Sequence, residues 1–119
     1  MMKSFTELDV WIEARKLAGE VYALTKTFPK DEQFGIVNQM RRSAVSIVSN
    51  IAEGCGRNTT KETIHFLHIS RASLFELETQ IYISFDQNYL DETSFNQVLE
   101  QIVVCKKLIN GFINYYRKL

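Results

Sequence analysis

Apolar residues recur along this chain at every third or fourth position, the spacing that places them on one face of an α-helix. Three interruptions, at Pro29, at Gly54 to Gly56 and at Asn88, divide the pattern into four segments of similar length. None of these segments alternates between apolar and polar residues as a β-strand would. The pattern therefore predicts an all-α fold, a left-handed up-down-up-down four-helix bundle with short connections.

The second predicted helix begins between Pro29 and Ile36 and ends near Gly54, where glycine can adopt the left-handed backbone conformation that closes a helix. An apolar stripe on this helix is suited to a core: Met40, Ala44, Ile47 and Ile51. Much of the opposite side is polar, and its small side chains permit close packing by a neighbour: Arg42, Ser43, Ser46, Ser49, Asn50 and Glu53.

The third and fourth helices have recognisable starts. Thr59 followed by Glu62 is a capping box, in which each side chain satisfies a backbone donor at the start of a helix. The third helix continues to about Asp86, Asn88 supplies the break, and Asp91 caps the fourth helix. The fourth helix then extends to the end of the chain.

The third helix carries apolar and small residues over about half of its circumference. A stripe of Ile64, Leu67, Leu74, Ile81 and Phe85 is broadened by Phe66, Ser70, Leu77 and Ser84. Two interpretations stay open, a broad side facing the subunit core and a surface between subunits, and the second is favoured because one bundle core hardly needs so wide an arc.

The composition is that of a globular protein with a single domain over residues 1–119, with 45% apolar and 24% charged residues. Its formal charge is zero and its pI is about 6.7, which argues against a protein whose whole surface is built to hold nucleic acid. No signal peptide or membrane span is apparent, so we expect a cytoplasmic protein without membrane contact.

Positive charge is concentrated in two stretches, residues 39–61 and residues 101–119, and the intervening residues 62–100 are acidic. These stretches supply the candidates for contact with RNA or DNA: Arg41, Arg42, Arg57, Lys61, Lys106, Lys107, Arg117 and Lys118, with Tyr115 and Tyr116. The alternative is ordinary solvated charge. Repetition of a modest basic patch around a symmetry axis would favour nucleic-acid binding, because multivalent contacts reinforce one another.

Two sets of residues are candidate centres of chemistry. Glu62 and His65 have the spacing of one half of a di-iron site, but a second such element is missing and His68 lies on the same helix. Cys55 could be a nucleophile with one of the histidines as its base, or a small side chain that fills a turn. Neither pattern is complete, so the sequence predicts no enzyme, no metal and no cofactor.

Arg71 and Glu78 fall within the apolar arc of the third helix, where unpaired charges would be costly. We expect partners for them on the polar face of the second helix, in a network that joins the two helices within or between subunits. A ligand pocket built from the same groups is the alternative. The candidates for this network or interface are Arg42, Ser46, Asn50, Glu53, Arg71 and Glu78.

The segment SIVSNIAEG, residues 46–54, followed by Arg57, resembles the signature of a four-helix-bundle family encoded in intervening sequences of bacterial 23S ribosomal RNA genes. The resemblance covers nearly the whole chain. It includes LDVW at residues 8–11, FP with Glu32 in the first connection, QMRRS at residues 39–43, Phe66 with Leu67, and SLFELE at residues 73–78. Val48 stands where that family usually has proline, and Ala72 where glycine is frequent.

The resemblance implies a homopentamer of four-helix bundles, without catalysis and, in most members, without an established biochemical activity. A related branch comprises accessory proteins of diversity-generating retroelements, whose strongly basic pentameric barrel is thought to engage RNA and a reverse transcriptase. The present chain lacks that strong basicity. We therefore expect a self-associating binding or scaffold protein with RNA or DNA as the first partner to test, or else an adaptor that binds another protein.

Overall fold

The structure is a computed structural model, and it describes residues 4–119. Four α-helices make up most of the chain: α1 (Asp9–Thr25), α2 (Ile36–Cys55), α3 (Thr60–Asp86) and α4 (Glu92–Arg117). Two short 3-10 helices precede α1 and α2, at Phe5–Glu7 and Lys30–Glu32. No β-strand occurs within residues 4–119, so the prediction of an all-α fold with four helices is confirmed.

Each helix packs against its neighbours in sequence, and α4 also packs against α1, so that the four helices surround one apolar core. The molecule measures 45 × 25 × 22 Å. The residues with 0% exposure include members of every helix: Leu17, Val21, Met40, Ala44, Ile47, Ile51, Leu67, Leu74, Leu77, Ile81, Ile102, Cys105 and Ile109. Burial of this apolar surface is the main force that holds the helices together.

Local signals at the starts of α3 and α4 act largely as the sequence predicts. Thr59 accepts a hydrogen bond from the backbone N–H of Glu62 at 3.1 Å, but the Glu62 carboxylate accepts from the Thr59 hydroxyl at 3.0 Å and so caps no backbone donor. Asp91 accepts from the N–H of Ser94 at 2.8 Å. Asn88 has a φ of 63°, the left-handed conformation that asparagine tolerates and that ends the preceding helix.

The predicted role of Gly54 as a left-handed helix terminus is wrong. Gly54 lies inside α2, and no glycine in the described part of the chain has a positive φ. A Cβ atom on Gly54 would lie 3.2 Å from the carbonyl oxygen of Thr63 and 3.3 Å from the Cβ of Phe66. The hydroxyl of Thr63 donates to the carbonyl of Gly54 at 2.8 Å. Glycine is needed here because α3 crosses α2 at very short range.

We expect Gly54→Ala to lower the free energy of unfolding by about 1 kcal/mol, because overpacking by about 1–3 kcal/mol outweighs the roughly 1 kcal/mol that alanine gains over glycine in a helix. Gly19→Ala is the matched control, since a Cβ on Gly19 meets nothing within 4 Å. That substitution should raise stability by about 0.5–1 kcal/mol. Urea unfolding of both variants checks the prediction, and equal stabilisation by the two would contradict it.

The broad apolar arc of α3 faces the core of its own subunit. Ser70, Leu77 and Ser84 are completely buried, and the hydroxyl of Ser70 donates to the carbonyl of Ile47 at 2.7 Å. Their burial removes the argument for an intersubunit surface that rested on the width of this arc. The exposed apolar side chains of α3 are different ones: Ile69, Phe75, Tyr82 and Ile83.

No helix in the described part of the chain combines the length and the apolar character that crossing a membrane requires.

Candidate nucleic-acid interface

Three of the eight candidate cations are engaged within the subunit, and Arg41 is the first of these. Its Nε donates to the buried hydroxyl of Thr25 at 2.9 Å, and its guanidinium lies 4.7 Å from the centre of the Tyr22 ring. These contacts connect α2 to α1. Arg41 is half-buried and is therefore less available to a ligand than a fully solvated cation.

Arg57 and Lys106 are the other two engaged cations. Arg57 Nη2 lies 2.6 Å from Oε2 of Glu53, one turn earlier, and the guanidinium covers the Phe66 ring at 5.0 Å. Lys106 Nζ lies 2.7 Å from Oε1 of Glu78, and this ion pair connects α4 to α3. The first pair is exposed and contributes little stability, whereas the second is more than two-thirds buried on both sides.

The remaining five candidates are exposed and form no ion pair with any described residue: Arg42, Lys61, Lys107, Arg117 and Lys118. Unpaired, solvated cations can contact phosphate groups without first breaking an internal interaction. Among the predicted candidates, these five are therefore the side chains best placed to bind a polyanion.

Three cations lie at one end of the bundle, which we call the basic end and define as Lys61, Arg117 and Lys118. Contacts of α3 with α4 show that the two helices run in opposite directions, so that the first turn of α3 lies beside the last turn of α4. Partial burial lowers the pKa of His68, and the nearby charges of Arg71 and Arg117 lower it further. The antiparallel arrangement of α3 and α4 therefore brings Lys61, Arg117 and Lys118 to the same end of the bundle.

Aromatic side chains accompany the basic end. Tyr115 is 57% exposed, and its ring is nearly parallel to that of Phe112, with an interplanar angle of 12° and a centre-to-centre distance of 6.4 Å. Tyr116 packs edge-on against both rings. Exposed aromatic rings beside cations are the arrangement on which proteins stack the bases of single-stranded nucleic acids.

The structure assigns partners to Arg71 and Glu78 that differ from the predicted ones. Arg71 Nη1 donates to Oδ1 of Asn110 at 3.0 Å, and Glu78 pairs with Lys106, so both partners lie on α4 rather than α2. Positions 71 and 78 are two turns apart on the edge of α3 that faces α4. Within the subunit, the predicted network between these two residues and the second helix is therefore wrong, whereas a network between subunits stays a prediction.

Polar contacts do join α2 and α3, but through other residues. The hydroxyl of Ser43 donates to Oε1 of Glu76 at 2.8 Å, and the hydroxyls of Ser46 and Ser73 lie 2.8 Å apart. Asn50 donates to the carbonyl and the hydroxyl of Ser46 in its own helix. Of the predicted α2 candidates, Ser46 thus bonds to α3, whereas Asn50 and Glu53 bond within or next to α2.

Beside these serines lies a groove of about 380 Å³, which we call the α2–α3 groove. Its lining is polar throughout: Asn38, Gln39, Arg42, Ser43, Ser46, Ser73, Glu76 and Gln80. Arg42 and Ser46 are among the residues predicted from the sequence, whereas Glu76 and Gln80 are not. The sequence feature that could have indicated this groove is the presence of small polar residues on both helices, Ser43 and Ser46 on α2 and Ser73 on α3. Small side chains let the two helices approach closely, and the longer polar side chains then lie along the edge of the contact.

The sequence profile described as 23S rRNA-intervening sequence protein matches residues 6–111. The chain belongs to this family. No curated protein matches the sequence with significance. The fold is similar to the crystal structure of a protein of unknown function from the S23 ribosomal protein family of Bacteroides thetaiotaomicron VPI-5482, with a TM-score of 0.82 and 21% sequence identity over 88% of this chain and 95% of that one.

In this member of the 23S rRNA-intervening sequence protein family, the cysteines lie in environments that disfavour thiolates. Burial raises the pKa of Cys55, and burial together with nearby acids raises the pKa of Cys105 to about 12. Neither His65 nor His68 is hydrogen-bonded to Cys55: His65 packs against Phe66, and His68 Nδ1 lies 3.1 Å from Arg71 Nη2. A raised pKa leaves less of the nucleophilic form at neutral pH.

The half-site Glu62 and His65 lies on the exposed side of α3, where the Glu62 carboxylate accepts from Thr59. Within residues 4–119, no three histidine, cysteine, aspartate or glutamate side chains converge to form a candidate metal site.

Proposed function

We propose that this member of the 23S rRNA-intervening sequence protein family is a non-enzymatic, cytoplasmic binding or scaffold protein whose first partner is RNA. In this proposal the subunit is a left-handed up-down-up-down bundle, and five copies form a homopentamer. The observation that carries the nucleic-acid proposal is the combination of unpaired cations and an exposed aromatic ring at the basic end. Lys61, Arg117 and Lys118 contact phosphates, and Tyr115 stacks on a base.

The zero net charge of the chain fits this proposal if several basic ends act together. One subunit offers few phosphate contacts and therefore a modest affinity at physiological salt. Five linked copies convert later contacts into intramolecular events, which raises the overall affinity without any new contact. Assembly and binding are thus two parts of one mechanism. DNA is the alternative polyanion for the same surface.

A protein-binding adaptor is the second candidate, and exposed apolar side chains favour it. Phe34 is 89% exposed, and Phe75 and Tyr82 are 50% and 48% exposed on the α4 side of α3. Exposed aromatic residues are enriched at protein interfaces. An adaptor would hold its partner by apolar burial, so its binding would change little with salt, whereas phosphate contacts weaken steeply.

The assembly is tested by the mass in solution, measured by light scattering coupled to size-exclusion chromatography. We expect five times the 13.8 kDa of the chain. Asn50→Leu or Glu53→Leu should lower that mass if the polar face of α2 is an interface, because leucine removes polar groups from its contact surface. Glu100→Leu, on α4, is the matched control. A native mass of one chain would contradict the pentamer, and unchanged mass in the α2 variants would exclude their face from the interface.

A further inference from the structure

The α2–α3 groove contains a buried polar atom without a partner. Gln80 is 8% exposed, and its Oε1 is the single buried side-chain oxygen or nitrogen in the described part of the chain that has no hydrogen bond. An unsatisfied buried acceptor is costly, because it has lost its hydrogen bond to water without gaining another. A ligand that brings an N–H donor into the groove would remove that cost.

Other groups in the groove also have unused hydrogen-bonding capacity. The Arg42 guanidinium carries five N–H donors and bonds to no described residue. Glu76 accepts from Ser43 through Oε1, and its Oε2 has no hydrogen bond within the described part. The groove therefore presents strong donors and strong acceptors together.

The charges in the groove restrict the chemistry of the occupant. Arg42 and Glu76 balance each other, so an inorganic anion would meet the carboxylate and a simple ammonium ion would meet the guanidinium. A neutral, planar group with donors and acceptors on neighbouring positions can satisfy both. The volume of about 380 Å³ lies in the lower part of the range of roughly 300–1,000 Å³ that small-ligand pockets occupy.

We propose that the α2–α3 groove binds an unpaired guanine base of single-stranded RNA. Guanine offers N1–H and N2–H donors beside the acceptors O6 and N7. The donors are directed to the Glu76 carboxylate and to Oε1 of Gln80, and Arg42 donates to O6 and N7, the pairing that arginine most often forms with this base. The inference rests on the proposed RNA binding and adds a base preference to it.

The test uses fluorescence anisotropy of the full chain with labelled single-stranded RNAs of equal length. The reference RNA contains one guanine in a uridine tract, and in the others that guanine is replaced by inosine, which lacks the N2 amino group, or by adenine. We expect the affinity to fall about tenfold or more on either replacement, since a good polar base contact discriminates at this level.

Glu76→Gln provides the decisive variant. Its amide oxygen can still accept from Ser43, but an NH₂ group takes the place of the free carboxylate oxygen and opposes the donors of guanine. Glu100→Gln is the matched control, because Glu100 lies in the groove between α1 and α4. Loss of the guanine preference in Glu76→Gln alone, with an unchanged thermal unfolding midpoint, is the expected result.

Two other outcomes would overturn the inference and are distinguishable. Binding that falls with salt but is equal for guanine, inosine and adenine would leave the proposed RNA binding in place and remove the guanine site. Absence of binding to every RNA, even at low salt, would remove the proposed function and the guanine site together.

Discussion

A variant with Lys61→Gln, Arg117→Gln and Lys118→Gln is expected to bind RNA at least about tenfold more weakly than the native chain at low salt. These three cations are exposed, and none of them pairs with an acid within residues 4–119. Their removal should eliminate the proposed phosphate contacts without breaking an ion pair within the subunit. The slope of log affinity against log salt should become shallower by about 2 for single-stranded RNA, since each lost contact contributes about 0.7.

The control for this variant changes the net charge by the same amount elsewhere. Lys16→Gln, Lys26→Gln and Lys30→Gln remove three cations from α1 and the connection that follows it. If the basic end is the binding surface, this control should retain most of the affinity. An equal loss in the two variants would show that net charge alone, and not the basic end, determines binding.

Ile47→Ala is expected to lower the free energy of unfolding by about 2–5 kcal/mol. Ile47 is fully buried, and its carbonyl accepts the hydroxyl of Ser70 across the contact between α2 and α3. The truncation leaves a cavity in the core beside the contact between α2 and α3. Urea unfolding measures the effect as a lower midpoint, with an unchanged slope if the unfolded state is the same.

Val45→Ala on the same helix is the control for the core truncation. Val45 is 44% exposed, so the loss should stay within about 0.5 kcal/mol. Similar losses for Val45 and Ile47 would contradict the assignment of the core face of α2.

Features that depend on a few neighbouring residues could be predicted from the sequence. The cap at Thr59, the break at Asn88 and the cap at Asp91 each involve groups within three or four positions of one another. Backbone donors at helix starts and the tolerance of asparagine for a positive φ decide these features locally. These local features therefore do not depend on how the helices pack against one another.

Partners across helices were harder to predict because they depend on how each helix is rotated in the bundle. The apolar arc of α3 indicated that Arg71 and Glu78 need partners, but it did not say which edge of the arc faces α2 and which faces α4. The structure places Asn110 and Lys106 beside them. These partners can be assigned only when the arrangement of the helices is known, and the apolar periodicity of one helix does not supply it.

Gly54 shows a similar limit. A glycine near the end of a predicted helix is most often a terminus, and the sequence contains nothing that distinguishes this role from close helix packing. The deciding fact is the backbone of Thr63, which approaches from the next helix. The same limit applies to the candidate cations. Arg57 and Lys106 are paired with Glu53 and Glu78, and these pairs can be identified only from the three-dimensional contacts.

The proposed binding of RNA through phosphate contacts is tested most directly by a salt series. The measurement is the fluorescence anisotropy of a labelled structured RNA titrated with the purified chain at several salt concentrations. We expect saturable binding whose log affinity falls steeply and linearly with log salt. Absence of binding at the lowest salt, or an affinity independent of salt, would contradict it.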